Sequence, residues 1–182
     1  LTLAEQGRVR IILDSASLHV TAAGKDKTTE DQFTDLFKQR KKSPSDIVRG
    51  SFARFSHDKV FIVSRNGGAA MQVLTGSTNF SLTGLYVNAN HVLVFEDAEI
   101  AGHYDAVFEK SFQILSGTKS PSKGAANAFS STSLATQPFA PPAAFVPKMS
   151  ITFSPHTDAD VQNVLGDLAN RIDDGIEGQQ RR

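Results

Sequence analysis

The stretch His57-Asp-Lys-Val-Phe-Ile-Val-Ser-Arg-Asn-Gly-Gly-Ala-Ala-Met-Gln-Val-Leu-Thr-Gly-Ser-Thr-Asn79 decides how this chain is read. Two apolar runs, Val60 to Val63 and Met71 to Leu74, flank Arg65-Asn-Gly-Gly-Ala69. Asn-Gly between such runs is the strongest short hairpin signal, so the spacing predicts two strands and a tight turn. His57 and Lys59, two apart on a strand, would project from one face. An imidazole beside a fixed cation has a lowered proton affinity, which favours its neutral, nucleophilic form. Lys59 and the amide of Asn79 offer donors to a tetrahedral anion. Gly76 and Ser77 would add backbone and hydroxyl donors, with no Cβ on Gly76 to obstruct a ligand. Together they describe a site for a phosphoryl group with a histidine placed to attack it. The chemistry needs no metal or other cofactor, and no cluster has metal-ligand spacing. A His-x-Lys pair or a Gly-Ser-Thr-Asn turn alone is commonplace; their order gives the reading its force.

The flanks fit an α/β chain. Upstream, Leu1-Thr-Leu-Ala-Glu-Gln-Gly7 reads as a helix end closed by glycine, and Arg8-Val-Arg-Ile-Ile-Leu-Asp14 as a buried strand. Residues 15–28 are polar and turn-rich. Thr29-Glu-Asp-Gln32 has the form of a capping box, predicting a helix with Phe33, Leu36 and Phe37 on one face and an end before Pro44. Downstream, His91-Val-Leu-Val-Phe95 predicts a strand. Ile100, Tyr104, Val107, Phe108, Phe112 and Leu115 then recur at helical spacing and read as core. Residues 116–147 are rich in Ser, Ala, Gly, Thr and Pro, ending in Pro138, Pro141, Pro142 and Pro147, which predicts a linker. Beyond it, Met149-Ser-Ile-Thr-Phe153 predicts a strand. Thr157-Asp-Ala-Asp160 opens a helix with Val161, Val164, Leu165, Leu168 and Ile172 on one face.

Composition narrows the function classes. The 182 residues carry 19 Lys+Arg and 19 Asp+Glu, which argues against a polybasic tail, an acidic disordered chain or a membrane-surface helix as the main function. No apolar run approaches the roughly 20 residues a bilayer span needs. The absence of cysteine excludes disulfides and thiol nucleophiles and leaves the compartment open. The charge is unevenly placed: residues 1–66 hold 12 basic and 8 acidic side chains, and the remainder 7 and 11. Arg54 and Arg65 belong to the basic portion, as does the run Lys38-Gln-Arg-Lys-Lys42. That run suits a helix C-terminus by complementing its dipole, and it equally suits contact with phosphate.

The order His57-x-Lys59 … Gly76-Ser77-x-Asn79 resembles the signature of the phospholipase D superfamily, HxKxxxxD followed by GSxN or GSxxN. The likeness extends to Gln6–Asp14, His57–Val63, Gly76–Ser81, Asn88–Phe95 and Asp97–Phe112. It implies an α/β fold with a mixed β-sheet flanked by helices, as a lobe over residues 1–115. A linker at 116–147 would then lead to a strand and helix at 148–182 that resemble the incomplete start of a second lobe. It also implies phosphodiester hydrolysis or transfer, with His57 attacking phosphorus and Lys59 and Asn79 holding non-bridging oxygens. A second histidine from a second motif would move the proton, supplied by another lobe or by a homodimer partner. The substrate would be a phosphodiester, either a phospholipid or a nucleic acid.

Three departures stand against that pattern. Ser64 occupies the acid position five residues after the lysine. Asn90 stands where a Glu often orients the nucleophilic histidine, although its amide oxygen can still accept from imidazole. Only one motif is present: His156 lacks a following Lys and a Gly-Ser turn, and His19, His91 and His103 read as structural or surface groups. The start at Leu1 and the incomplete second half lead to the expectation of one lobe of a two-lobe protein, a fragment of it, or a chain that pairs with its missing half. The alternative to an enzyme is a non-catalytic phosphate-binding, nucleic-acid-binding or structural lobe.

Overall fold

The computed structural model describes residues 1–53, 57–65, 67–117, 122–142 and 148–180. Arg54 of the basic portion, Asn66 of the hairpin turn and Pro147 of the proline-rich segment lie outside the described residues. The chain divides into two compact units, Leu1–Ala125 and Ala126–Arg182.

The first unit carries parallel and antiparallel strands flanked by helices, the expected α/β class. A short helix α1 (Thr2–Glu5) turns at Gly7, whose φ of +71° is the left-handed conformation glycine tolerates, and leads into β1 (Arg10–Asp14). Helix α2 (Thr29–Arg40) follows. Its N-cap is Thr28, one residue before the predicted box, and the Thr28 hydroxyl accepts from the Asp31 amide. Phe37 and Phe33 turn inward, but Leu36 is exposed. The chain then enters β2 (Asp46–Gly50), which pairs in parallel with β1. Ala4, Phe37 and Ile47 form the centre of this layer, with Val9, Ile11, Leu13 and Phe33 packed around them. Full burial of a side chain such as Phe37 contributes about 1.5–3 kcal/mol.

The predicted hairpin is β3 (Phe61–Ser64) against β4 (Ala70–Gly76), with a register shift at Val63/Ser64. Strand β5 (Val92–Phe95) pairs antiparallel with the other edge of β4. Parallel and antiparallel pairings are therefore both present among the described residues, in a two-stranded and a three-stranded sheet. Helix α4 (Ala98–Gly117) begins at Asp97, whose carboxylate accepts from the Glu99 and Ile100 amides. It packs on β2, β3 and β4, with Val73 and Ile100 wholly buried. Arg10 of β1 reaches α4 as well, pairing with Glu109 and lying over the Phe108 and Phe112 rings.

The segment predicted as a linker contains two helices, α5 (Ser122–Ser130) and α6 (Ser133–Thr136), and the boundary between units falls inside α5. Alanine explains the difference: it marks low complexity in composition yet has the best intrinsic helix propensity. Ala125, Ala126 and Phe129 are buried. In the second unit, the strand predicted at Met149–Phe153 is one bridge, with Phe139 and Ile151 exchanging backbone hydrogen bonds. Helix α7 (Asp158–Gln180) is capped by Thr157 and runs beyond the predicted stripe. Val164 is buried there, while Leu168 and Ile172 are exposed. No helix among the described residues is long and apolar enough to cross a membrane.

Candidate active site

The predicted site residues gather at the end of the antiparallel sheet where β4 finishes. β3 begins at Phe61, opposite Leu74, so His57 and Lys59 lie in the segment that precedes the strand rather than on it. Tyr104 of α4 hydrogen-bonds the Thr75 side chain of β4 and lies within the field of the Asp58 carboxylate. Burial, together with Asp58, holds the Tyr104 hydroxyl above the ordinary phenol range, opposed by the Thr75 bond.

His57 is exposed, whereas Lys59 retains only 7% of its surface. The Lys59 ammonium donates to the His57 carbonyl oxygen at 2.6 Å, which ties the two residues through the backbone. Burial pushes the Lys59 amine below the usual lysine range, and the Asp58 charge partly offsets that effect. A desolvated ammonium holds an anionic oxygen with less competition from water than an exposed one.

The Gly-Ser-Thr-Asn turn is built differently from the expectation. Gly76 has φ +151°, and a Cβ there would stand 2.2 Å from the His91 carbonyl oxygen and 3.0 Å from the Val92 Cα. Close backbone packing therefore explains this glycine; the space over it holds the β5 backbone and not a ligand. The Ser77 amide donates to the His91 carbonyl at 3.0 Å. The Ser77 hydroxyl meets the Asn90 Oδ1 at 3.1 Å, accepts from the His91 amide at 3.1 Å and touches His91 Nδ1 at 3.2 Å. Both Ser77 donor groups are thus engaged within the protein. The Asn90 Nδ2 donates to the Gly84 carbonyl at 2.8 Å. Its oxygen serves Ser77, so the structure gives it a turn-building contact in place of the one expected with His57.

Asn79 is exposed at the tip of the turn. It is followed by α3 (Leu82–Tyr86), capped by the Ser81 hydroxyl. Gly84 lets α3 close on the turn: a Cβ there would stand 2.2 Å from the Asn79 carbonyl oxygen. Leu82 and Tyr86 of α3 are about four-fifths exposed, at 78% and 82%, which leaves an apolar rim beside the turn.

Gly76, Ser77 and Asn90 shape the turn, whereas the His57 and Asn79 side chains are exposed. Sequence reading takes His91 as a structural or surface group and Tyr104 as core, and it does not place His91 against Ser77. The β4–β5 register places His91 opposite Ser77, because Gly76 pairs with Val92. Ser64 lies at the far end of β3, opposite Ala70. The lysine-rich run is partly occupied: Arg40 pairs with Glu5 and Lys41 with Asp46. His156 Nδ1 meets the Ala135 carbonyl at 2.7 Å within the second unit.

Residues 1–112 match the family model described as the PLD-like domain of cardiolipin synthase. Comparison with curated proteins and with solved structures gives no match for the chain.

Proposed function

The chain belongs to the phospholipase D superfamily, and from that premise we propose that it is a phosphodiesterase acting through a phosphohistidine on His57. The observation that carries this reading is the exposed His57, whose backbone carbonyl accepts from the buried Lys59 ammonium. In the first half-reaction a ring nitrogen of His57 forms the N–P bond as the P–O bond to the leaving alcohol breaks. Lys59 and Asn79 hold the non-bridging oxygens. In the second, water or an alcohol attacks phosphorus and releases His57. The reading includes a second lobe or a homodimer partner. The strand face bearing Phe61, Val63, Val92 and Val94, each about half exposed, supports such a cover.

The apolar rim on α3 favours an amphiphilic phosphodiester over a nucleic-acid backbone. The pairing of Arg40 and Lys41 within the fold removes two of the cations a nucleic acid would use. The commitment of Ser77 and Asn90 to the turn, together with Ser64 in the acid position, favours the second reading, a lobe of this fold that binds phosphate without turnover.

The two separate in one experiment. The chain is mixed with a phosphodiester bearing a good leaving group and denatured in alkali, which preserves N–P bonds. The peptide containing His57 is then weighed. The catalytic reading expects the mass of the phosphoryl adduct on that peptide and none in His57→Ala. An unmodified peptide at saturating substrate in the complete assembly leaves only the binding lobe.

A further inference from the structure

From Asn79 to Val94 every residue except Gly84 is exposed, and none is Asp, Glu, Lys or Arg. A surface that faces water carries about 25–35% charged side chains. The apolar residues of this stretch are also turned the unusual way. Leu82, Leu85 and Tyr86 of α3, at i, i+3 and i+4, share one helical face and are 78%, 56% and 82% exposed. The inward side of α3 is the buried Gly84, set against the Asn79 carbonyl. A surface helix ordinarily hides its apolar face against the core, whereas α3 presents it. Phe80 and Val87, at its two ends, are exposed as well. The backbone of α3 meanwhile needs no water. The Gly84 amide donates to the Ser81 hydroxyl, the Leu85 amide to the Ser81 carbonyl, and the Val87 and Asn88 amides to the Thr83 carbonyl. Donors satisfied in this way tolerate a low-dielectric medium.

We propose that α3 is a lipid-docking element, which inserts Leu82, Leu85 and Tyr86 into the surface of an electrically neutral bilayer. With no formal charge on the element, the attraction comes from apolar area and not from anionic headgroups. Tyr86 suits the boundary, as an apolar ring whose hydroxyl stays among the headgroups. Side chains four-fifths exposed project beyond their neighbours. Fluid lipid takes up such projections without a matching cavity, which a second protein surface would have to supply. Docking itself stands apart from the chemistry. Its use, to bring the turn that carries Asn79 to a lipid phosphodiester, rests on the phosphohistidine reading of His57.

Co-sedimentation of the whole chain with vesicles tests this. Wild type should bind phosphatidylcholine vesicles, and raising salt from about 0.1 to about 1 M should not weaken the binding. Leu82→Ser with Tyr86→Ser should bind about 10-fold more weakly or worse. The urea midpoint should not change, because both side chains are already exposed in the fold. Leu82→Met should bind like wild type, and so should Leu168→Ser, which removes an exposed leucine from α7. Three results overturn the proposal: no binding of wild type to phosphatidylcholine, binding that requires phosphatidylserine and vanishes in salt, or undiminished binding by the serine pair. Self-association that the serine pair abolishes, in a wild type that ignores vesicles, assigns this face to a second copy instead. His57→Ala should bind vesicles normally. A His57 adduct on a water-soluble diester without vesicle binding removes the docking role alone. Vesicle binding without any adduct removes only the phosphohistidine reading.

Discussion

Gly76 shows how a single atom can hold the site together. Its φ of +151° and the 2.2 Å approach of the His91 carbonyl leave no room for a Cβ, so Gly76→Ala must move β5 away from β4 or distort the turn. The expected cost is about 2–4 kcal/mol, read as a lower urea midpoint at unchanged slope. The same change should disorganise Ser77 and His91, whose mutual bonds need that approach. A loss under about 0.5 kcal/mol, the usual range for indifferent surface changes, would refute this account. At this scale residue type and order in the sequence led to the proposal of His57, Lys59 and Asn79 as the site. The same reading misassigned Gly76 because motif spacing says that a glycine is required without saying which atoms crowd it. The contact of His91 with Ser77 was illegible for a related reason: the two lie 14 positions apart, across a strand pairing whose register no local pattern specifies.

Elements joined by charge show where folding stability will answer to pH. The polar 15–28 segment, α2 and β2 meet at Asp31, which accepts from the Thr21 amide at 2.7 Å and hydroxyl at 2.6 Å and pairs with Arg49 at 2.8 Å. The Thr21 bonds, with help from the Arg49 charge, hold the Asp31 carboxyl below its ordinary range. A lowered folded-state value means that the unfolded chain binds the proton first as pH falls. The stabilisation is present above the unfolded value of about 3.9 and is lost as pH drops through the folded one. Asp31→Asn should therefore be less stable than wild type at pH 7, with the gap in urea midpoint closing toward pH 3. A gap that stays constant from pH 7 to 3 would show that the charge is not what joins these elements. Strong periodicity made α4 and the hairpin legible. β2 was missed because Asp46-Ile-Val-Arg-Gly50 offers only two consecutive aliphatics, and its pairing with β1 supplies the rest. The helices α5 and α6 were missed because low-complexity composition was weighed above alanine's helix propensity.

At the scale of the molecule, the antiparallel sheet has two unlike faces. Val73 points to α4 and is fully buried, whereas Phe61 and Val94, aligned across Leu74, stay 54% and 57% exposed. Phe80 adds its ring to Phe61 at 4.5 Å between centroids and is exposed as well. Aromatic and β-branched side chains aligned across three strands cover a contiguous surface that water solvates poorly, and burying the exposed half of each would contribute about 0.7–1.5 kcal/mol. If a second lobe or chain completes the site, this face is where removal of water most favours its docking, because α4 already packs on β3 and β4 from the other side. The double substitution Phe61→Lys with Val94→Lys puts two charges there without touching Val73 or Ile100. Sedimentation velocity should show concentration-dependent association for wild type and a monomer for the double variant, with far-ultraviolet circular dichroism unchanged. Equal sedimentation of the two proteins over a 100-fold concentration range would refute the role of this face. Retained His57 adduct in a monomeric variant would further mean that one lobe suffices for the first chemical step, leaving the partner only the later proton transfer or none.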